Sequence, residues 1–329
     1  MLSVGTEFGA DHVEFRVARE REKGRGLPVA RTTNTMQSHL LDNSWDCLAG
    51  PLMEEFLPYV VAMNWLDGLR ERRSDTANHH EDFDVRSRTV SAFLMEAGGV
   101  WMLITAGHVL KAFEEVTSGP RRFIKGRIFD HIGQPGNTDG IPMEFDKEPM
   151  LHIDLKEVGW DLGAIPLPSY YVRVMQATKR RAFPQRAVAK LDDEFERYVV
   201  LGFPFEHQKV TRVQLGTKTN LRLFFGTPLL PVRRLKRAPG ALKKPLPRFY
   251  GRIMREKFEV NGETIVLGDI DGMSGGPIIG IRRKRTGLEY GLVAVQSGWL
   301  PSKRVLAGCP VADLGPAVLE KMRAAGARV

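Results

Sequence analysis

Cysteine is scarce in this 329-residue chain, which has only Cys47 and Cys309. Two thiols exclude the multi-disulfide framework that staples many secreted domains. Long apolar runs are also missing, so no membrane-spanning helix is expected. Met1-Leu2-Ser3-Val4-Gly5-Thr6-Glu7-Phe8 has no basic segment followed by an apolar one. That excludes a secretory leader of the usual form, and a cytoplasmic protein is expected. Metal-ligand spacing is absent too. His79-His80-Glu81-Asp82 has neither i, i+4 spacing nor a second ligand pair, and it reads as a solvated loop. The last absence concerns histidine. All eight, His12, His39, His79, His80, His108, His131, His152 and His207, precede residue 274.

Other features are plentiful. Hydrophobic residues make up 43% of the chain, enough for a substantial core in one or two domains. The formal net charge is +9 and favours acidic partners. Residues 227–248 are proline-rich and carry Arg233, Arg234, Lys236, Arg237, Lys243, Lys244 and Arg248 without one acid. Arg282-Arg283-Lys284-Arg285 is a second basic run. Clustered cations are the footprint of phosphate binding. These runs lack aromatic interleaving, however, and a solvated loop is the simpler reading.

The most informative stretch is Asp271-Gly272-Met273-Ser274-Gly275-Gly276-Pro277, followed by the apolar Ile278-Ile279-Gly280-Ile281. Glycines around one serine permit a sharp turn that exposes a hydroxyl and aims backbone N–H groups at one point. A serine nucleophile and its oxyanion hole need both. Gly272-Met273-Ser274-Gly275-Gly276 also fits the elbow of α/β-hydrolases, but that fold places its histidine after the serine, and none follows here. A base and an orienting carboxylate are available upstream. The apolar Leu103-Ile104 leads into Thr105-Ala106-Gly107-His108, and Asp161 opens the run Leu162-Gly163-Ala164-Ile165-Pro166-Leu167. Asp154 in His152-Ile153-Asp154-Leu155 is the competing carboxylate. Asp161 is preferred because an apolar strand follows it.

These three segments, in the order His, Asp, Ser, resemble the chymotrypsin-like (trypsin-like) serine peptidases, and most of all the disulfide-free bacterial ones. Gly107 stands where alanine is commoner in the histidine motif. The resemblance spans roughly residues 88–312. It implies an all-β, two-barrel fold and hydrolysis of peptide bonds in a polypeptide substrate, without a cofactor. Ser274 would be the nucleophile, His108 the general base and Asp161 its orienting partner. Backbone N–H groups of Gly272 and Ser274 would form the oxyanion hole. Gln296, Ser297 and Gly298 would lie on the substrate-edge strand, with Trp299 beside it, and Gly268 at the pocket floor. Met273 replaces the family's aspartate before the serine, so activation through a new N-terminal amine is closed. Asp269 is one position from the pocket floor and leaves a weak preference for Lys or Arg. The alternative is a silent peptidase scaffold that binds protein or nucleic acid through residues 227–248 and 282–285.

The expected layout is an N-terminal, partly helical extension over 1–87, a first barrel over 88–185, a second over 186–312 and a C-terminal helix over 313–329. Within the extension, residues 18–26 are charged and exposed. Leu52, Phe56, Val60, Met63 and Leu66 recur near helical spacing, which predicts a helix over 51–73 with a kink at Pro58.

Overall fold

Two large β-sheets, packed together through a shared apolar core, carry most of the described strands. The structure is a computed structural model. It describes residues 46–70, 83–119, 121–129, 140–145, 148, 150–155, 157–205, 208–215, 218–225, 228–255, 257–260, 263–285, 287–312 and 320. The stretch 18–26 and His79-His80-Glu81-Asp82 lie outside the described residues. Of the expected helix over 313–329 only Glu320 is described, and it is helical.

The first sheet has seven strands: β1 (Val60–Arg70), β2 (Phe83–Ala97), β3 (Val100–Thr105), β4 (Arg121–Phe129), β5 (Ile141–Pro142), β6 (Leu151–Leu155) and β7 (Trp160–Pro166). Their spatial order is β5-β4-β1-β2-β3-β7-β6. A tight hairpin joins β2 to β3, with Gly98 and Gly99 at φ 58 and 80 between them. Such left-handed values suit glycine and match the twist of a tight hairpin.

The second sheet is a closed six-stranded barrel in the order β11-β12-β17-β16-β15-β8. Its strands are β8 (Arg197–Leu201), β11 (Leu229–Arg234), β12 (Phe249–Ile253), β15 (Pro277–Lys284), β16 (Gly287–Leu300) and β17 (Val305–Pro310). Two satellite hairpins complete the strand set, β9 (Gln208–Leu215) with β10 (Lys218–Phe225) and β13 (Lys257–Val260) with β14 (Glu263–Val266). This is the two-barrel, chymotrypsin-like architecture, and closure of the second sheet pairs each of its strands with two neighbours.

Three apolar clusters explain the arrangement. One fills the first sheet, with Trp65, Leu94, Leu103, Phe113 and Phe145. Another fills the closed barrel, with Val200, Phe249, Met273, Ile278 and Leu306. The third joins the two, bringing Phe93, Ile104 and Leu162 against Leu201, Phe203, Ile279 and Val295. Each fully buried side chain of this size contributes about 1.5–3 kcal/mol.

The expected helix over 51–73 is corrected. Helix α1 covers Asp46–Phe56, a single 3-10 turn covers Leu57–Tyr59, and Val60–Arg70 is strand β1. That strand lies ahead of residue 88, so the first sheet draws on the segment read as an extension. Pro58 ends the helix, and the paired Val60-Val61 favours extended backbone. Both faces of β1 are covered. Val60 and Ala62 enter the joining core, while Val61, Met63 and Trp65 enter the first-sheet core. A strand buried on both faces has no period-two pattern to read. Leu52 and Phe56 of α1 also pack into the joining core.

Among the described residues no helix is long and apolar enough to cross a membrane.

Candidate active site

His108 sits in the first turn of helix α2 (Gly107–Ser118), directly after β3. Asp161 is the second residue of β7 and is 1% exposed. The Asp161 carboxylate accepts twice from one residue: its Oδ1 takes the His108 backbone N–H at 2.8 Å and its Oδ2 faces His108 Nδ1 at 2.8 Å. A buried carboxylate is costly unless its lone pairs are used, and here both oxygens are. It also lies at the positive end of α2, where a negative charge is favoured. An ionised carboxylate only accepts, so in the neutral imidazole the proton sits on Nδ1 and leaves the Nε2 lone pair available. The ring is 27% exposed, which leaves that edge within reach of solvent or substrate.

Gly163 makes this contact geometrically accessible. A Cβ there would lie 2.8 Å from a Leu110 methyl and 3.1 Å from the Ala106 carbonyl oxygen. Helix α2 therefore rests directly on β7, two residues past the aspartate. Asp154, the competing carboxylate, pairs with Lys111 at 3.3 Å instead. His152 pairs with Glu114 at 2.8 Å, and these two contacts fasten the same helix to β6.

Ser274 lies in the turn that precedes β15 and is half-buried. Its hydroxyl hydrogen-bonds to no described residue, His108 included. The turn is nonetheless pressed onto the sheet that carries His108. Gly275 has φ 95, and a Cβ there would lie 2.1 Å from both Ser91 O and Thr105 Oγ1. Thr105 is three residues before the histidine.

The peptides around the serine are held by their carbonyls. Phe205 N–H donates to Asp271 O at 2.7 Å, and Gly276 N–H donates to Met273 O at 2.8 Å. A trans peptide points its N–H away from its C=O. The N–H groups of Gly272 and Ser274 are thus aimed the other way, and among the described residues neither has a hydrogen-bond partner. Gly272, at φ 92, takes a conformation that side chains resist, and a Cβ there would meet Phe203 O at 2.5 Å.

Ser91 was not singled out from the sequence. It is fully buried in β2. Its Oγ donates to Gly272 O at 2.8 Å and accepts from Phe203 N–H at 2.8 Å. Its backbone N–H also donates to Gly272 O at 3.0 Å. Its carbonyl accepts from Thr105 Oγ1 at 2.9 Å. One small residue of the first sheet therefore fixes the peptide on the far side of the serine turn. A serine inside the strand-like run Thr89-Val90-Ser91-Ala92-Phe93 gives no sequence signal for that role.

The remaining expected residues divide. Gln296 is buried, and its backbone is consumed by the turn: it accepts from Gly275 N–H and donates to Gly276 O, each at 2.8 Å. It anchors the turn instead of offering an open edge. Ser297 and Gly298 lie just beyond, where the β15 pairing has ended at Val295 and the β17 register shifts. Trp299 packs against the closed-barrel core. Gly268 is exposed in the stretch between β14 and the turn. Asp269 accepts from the Ile270 and Asp271 N–H groups at 2.6 and 3.3 Å, so its carboxylate braces the local backbone. Burial, with Asp269 beside it, pushes the Asp271 carboxyl above the usual range.

No family model matches the chain, and no curated protein does. Solved structures give partial overlaps. The chain is similar to an HtrA-type protease, AlgW, with a decapeptide: 11% identity over 84% of this chain and 67% of the other, TM-score 0.43. Protease Anisep from Arthrobacter nicotinovorans overlaps at 10% identity over 77% of this chain and 90% of the other, TM-score 0.38. Tobacco etch virus protease, complexed with product, overlaps at 12% identity over 82% and 81%, TM-score 0.39. The two-barrel assignment rests on the strand order of the molecule itself.

The basic runs are partly spent inside the fold. Arg234 donates to the carbonyls of Leu191 and Asp193 and to the Tyr198 hydroxyl. Arg282 and Lys284 both pair with Glu289. That lowers the charge these runs offer to a phosphate backbone. Among the described residues no group of three or more His, Cys, Asp or Glu side chains could hold a metal ion.

Proposed function

We propose that the protein is a serine-type endopeptidase acting through His108, Asp161 and Ser274. The observation that carries this reading is the bidentate hold of Asp161 on His108, with the Ser274 turn pressed against the strand that delivers the histidine. In this reading a peptide lies along the open part of β16 and presents its scissile carbonyl to Ser274. His108 Nε2 takes the hydroxyl proton as Oγ attacks the carbonyl carbon. Asp161 holds the tautomer and stabilises the imidazolium that forms. The oxygen gains negative charge and is received by the Gly272 and Ser274 N–H groups. His108 then returns the proton to the leaving amine as the C–N bond breaks. Water, activated by the same nitrogen, hydrolyses the acyl-serine ester.

Two features favour a serine over a cysteine nucleophile. The turn carries Ser274, and Cys309 is buried in β17. The oxyanion hole is formed at rest in this reading, because both of its peptides are already anchored by their carbonyls. Losing one such donor typically costs on the order of 10²–10³ in rate.

The test is cleavage of a diverse peptide mixture, followed by mass spectrometry. The native chain should generate new termini and Ser274→Ala should not. Cleavage that persists in Ser274→Ala would sink the assignment. The cytoplasmic location and the bacterial, disulfide-free likeness belong to the same proposal.

A further inference from the structure

The proline-rich basic segment before β12 does not project freely. Leu246 N–H donates to Val158 O at 2.9 Å, which ties the segment to the β6–β7 turn. Gly159 in that turn has φ 104, and a Cβ there would lie 2.9 Å from Lys244 Cβ and 3.2 Å from Arg248 Cδ. The Arg248 side chain thus leaves the closed barrel, crosses the turn two residues before Asp161 and returns to β16. There its guanidinium donates to the Ser297 hydroxyl. A Cβ on Gly298 would lie 3.9 Å from the same guanidinium group.

A guanidinium held at this position calls for a counter-charge. Arg248 Nε is buried and has no hydrogen-bond partner. Among the described residues no carboxylate pairs with Arg248 or Lys244. A guanidinium presents five donors in a rigid fork that suits a carboxylate. Arg248 has one of its nitrogens on a neutral hydroxyl. It also faces the stretch of β16 that has lost its β15 partner, beside a register shift of the kind found next to active sites. A peptide added to that edge would place alternate side chains beside Ser297.

We infer that Arg248 forms a cationic subsite that selects polypeptides with an acidic side chain next to the open edge of β16. The inference rests on the endopeptidase reading for the location of the peptide. It names the substrate class that this reading leaves open. It also gives the positive charge of Arg248 a use other than solvation.

The test uses the full chain with Ser274→Ala, so that binding is read without turnover. Blocked peptides, scanned position by position, are measured for binding to it and to the same chain carrying Arg248→Gln. Peptides with Glu or Asp at one fixed position should bind about tenfold more tightly than their Gln or Asn counterparts. That advantage should vanish in Arg248→Gln while neutral peptides keep their affinity. Arg248→Glu should turn the preference toward Lys or Arg at the same position. Absence of an acidic preference in the Ser274→Ala chain overturns the inference, whatever the other variants do. So does a preference that survives Arg248→Gln. A short single-stranded oligonucleotide serves as competitor. If it binds above every peptide, with steep salt dependence lost in Arg248→Gln, the site belongs to phosphate and the inference falls. Fluorophosphonate labelling of the native serine reads the endopeptidase assignment separately. A chain that labels without acidic preference loses only the subsite. A chain that does not label but keeps an Arg248-dependent preference loses only the chemistry.

Discussion

The two sheets build their halves of the site by different means. The first sheet uses side chains: Asp161 grips His108 at two points, and the ion pairs of Lys111 and Glu114 fasten the histidine's helix. The closed barrel uses backbone: glycines at positive φ and anchored carbonyls orient two N–H groups. Chemistry held by side chains can be deleted while the fold survives. Chemistry held by backbone is bound up with packing, because a Cβ added at Gly272, Gly275 or Gly276 collides. Ser91 is where the two meet, since it belongs to the first sheet and fixes a carbonyl of the turn.

The largest effect should come from the side-chain half. Asp161→Asn removes the acceptor that sets the imidazole tautomer, and peptide hydrolysis should fall on the order of 10⁴-fold with little change in Tm. Steady-state kinetics beside a thermal melt checks both parts. A large loss of Tm would show that Asp161 is mainly structural.

Next comes Gly275→Ala on the barrel side. Its Cβ would fall 2.1 Å from Ser91 O and Thr105 Oγ1 in a left-handed backbone. Destabilisation above about 3 kcal/mol is expected from strain and overpacking together. Denaturant unfolding measures it, and a near-neutral result would mean that the turn is not pressed onto the first sheet as described.

Ser91→Ala sharpens the comparison because it acts on both halves. It leaves the Phe203 N–H buried without its Oγ acceptor, a cost of about 1–3 kcal/mol. It also loosens Gly272, so kcat should fall while KM changes little. Equal changes in kcat and KM, or none, would remove Ser91 from the positioning of the turn.

The smallest effect lies away from the site. Arg282 and Lys284 hold the Glu289 carboxyl below its usual range through hydrogen bonds and charge. A depressed folded pKa gives stability that is present above the unfolded value, near 4.5, and lost as pH falls through the folded one. Glu289→Gln should therefore flatten the acid limb of a Tm–pH curve slightly and leave hydrolysis unchanged. An unaltered acid limb would show the pair to be fully screened.

Much of this was legible in the sequence. The motif segments pointed to His108 and Asp161, whose ring and carboxylate meet at 2.8 Å, and to the Ser274 turn, which is pressed onto the strand before His108. Strand β1 was not legible, because a strand buried on both faces loses its alternation and its apolar residues also satisfy a helical spacing. Ser91 was hidden for another reason. A serine in an apolar strand has no local mark, and its role comes from a turn 181 residues away. Gln296 was misread as an open edge because nothing local says that its backbone is consumed by Gly275 and Gly276. Arg248 looked like one more solvated cation until the fold folded it back onto Ser297.

The most direct measurement is fluorophosphonate labelling of the native chain, Ser274→Ala and His108→Ala. The account predicts labelling of the native chain that both substitutions abolish, with one adduct mapped to Ser274. A native chain that fails to label, or labels equally well without His108, would contradict an activated serine at this turn.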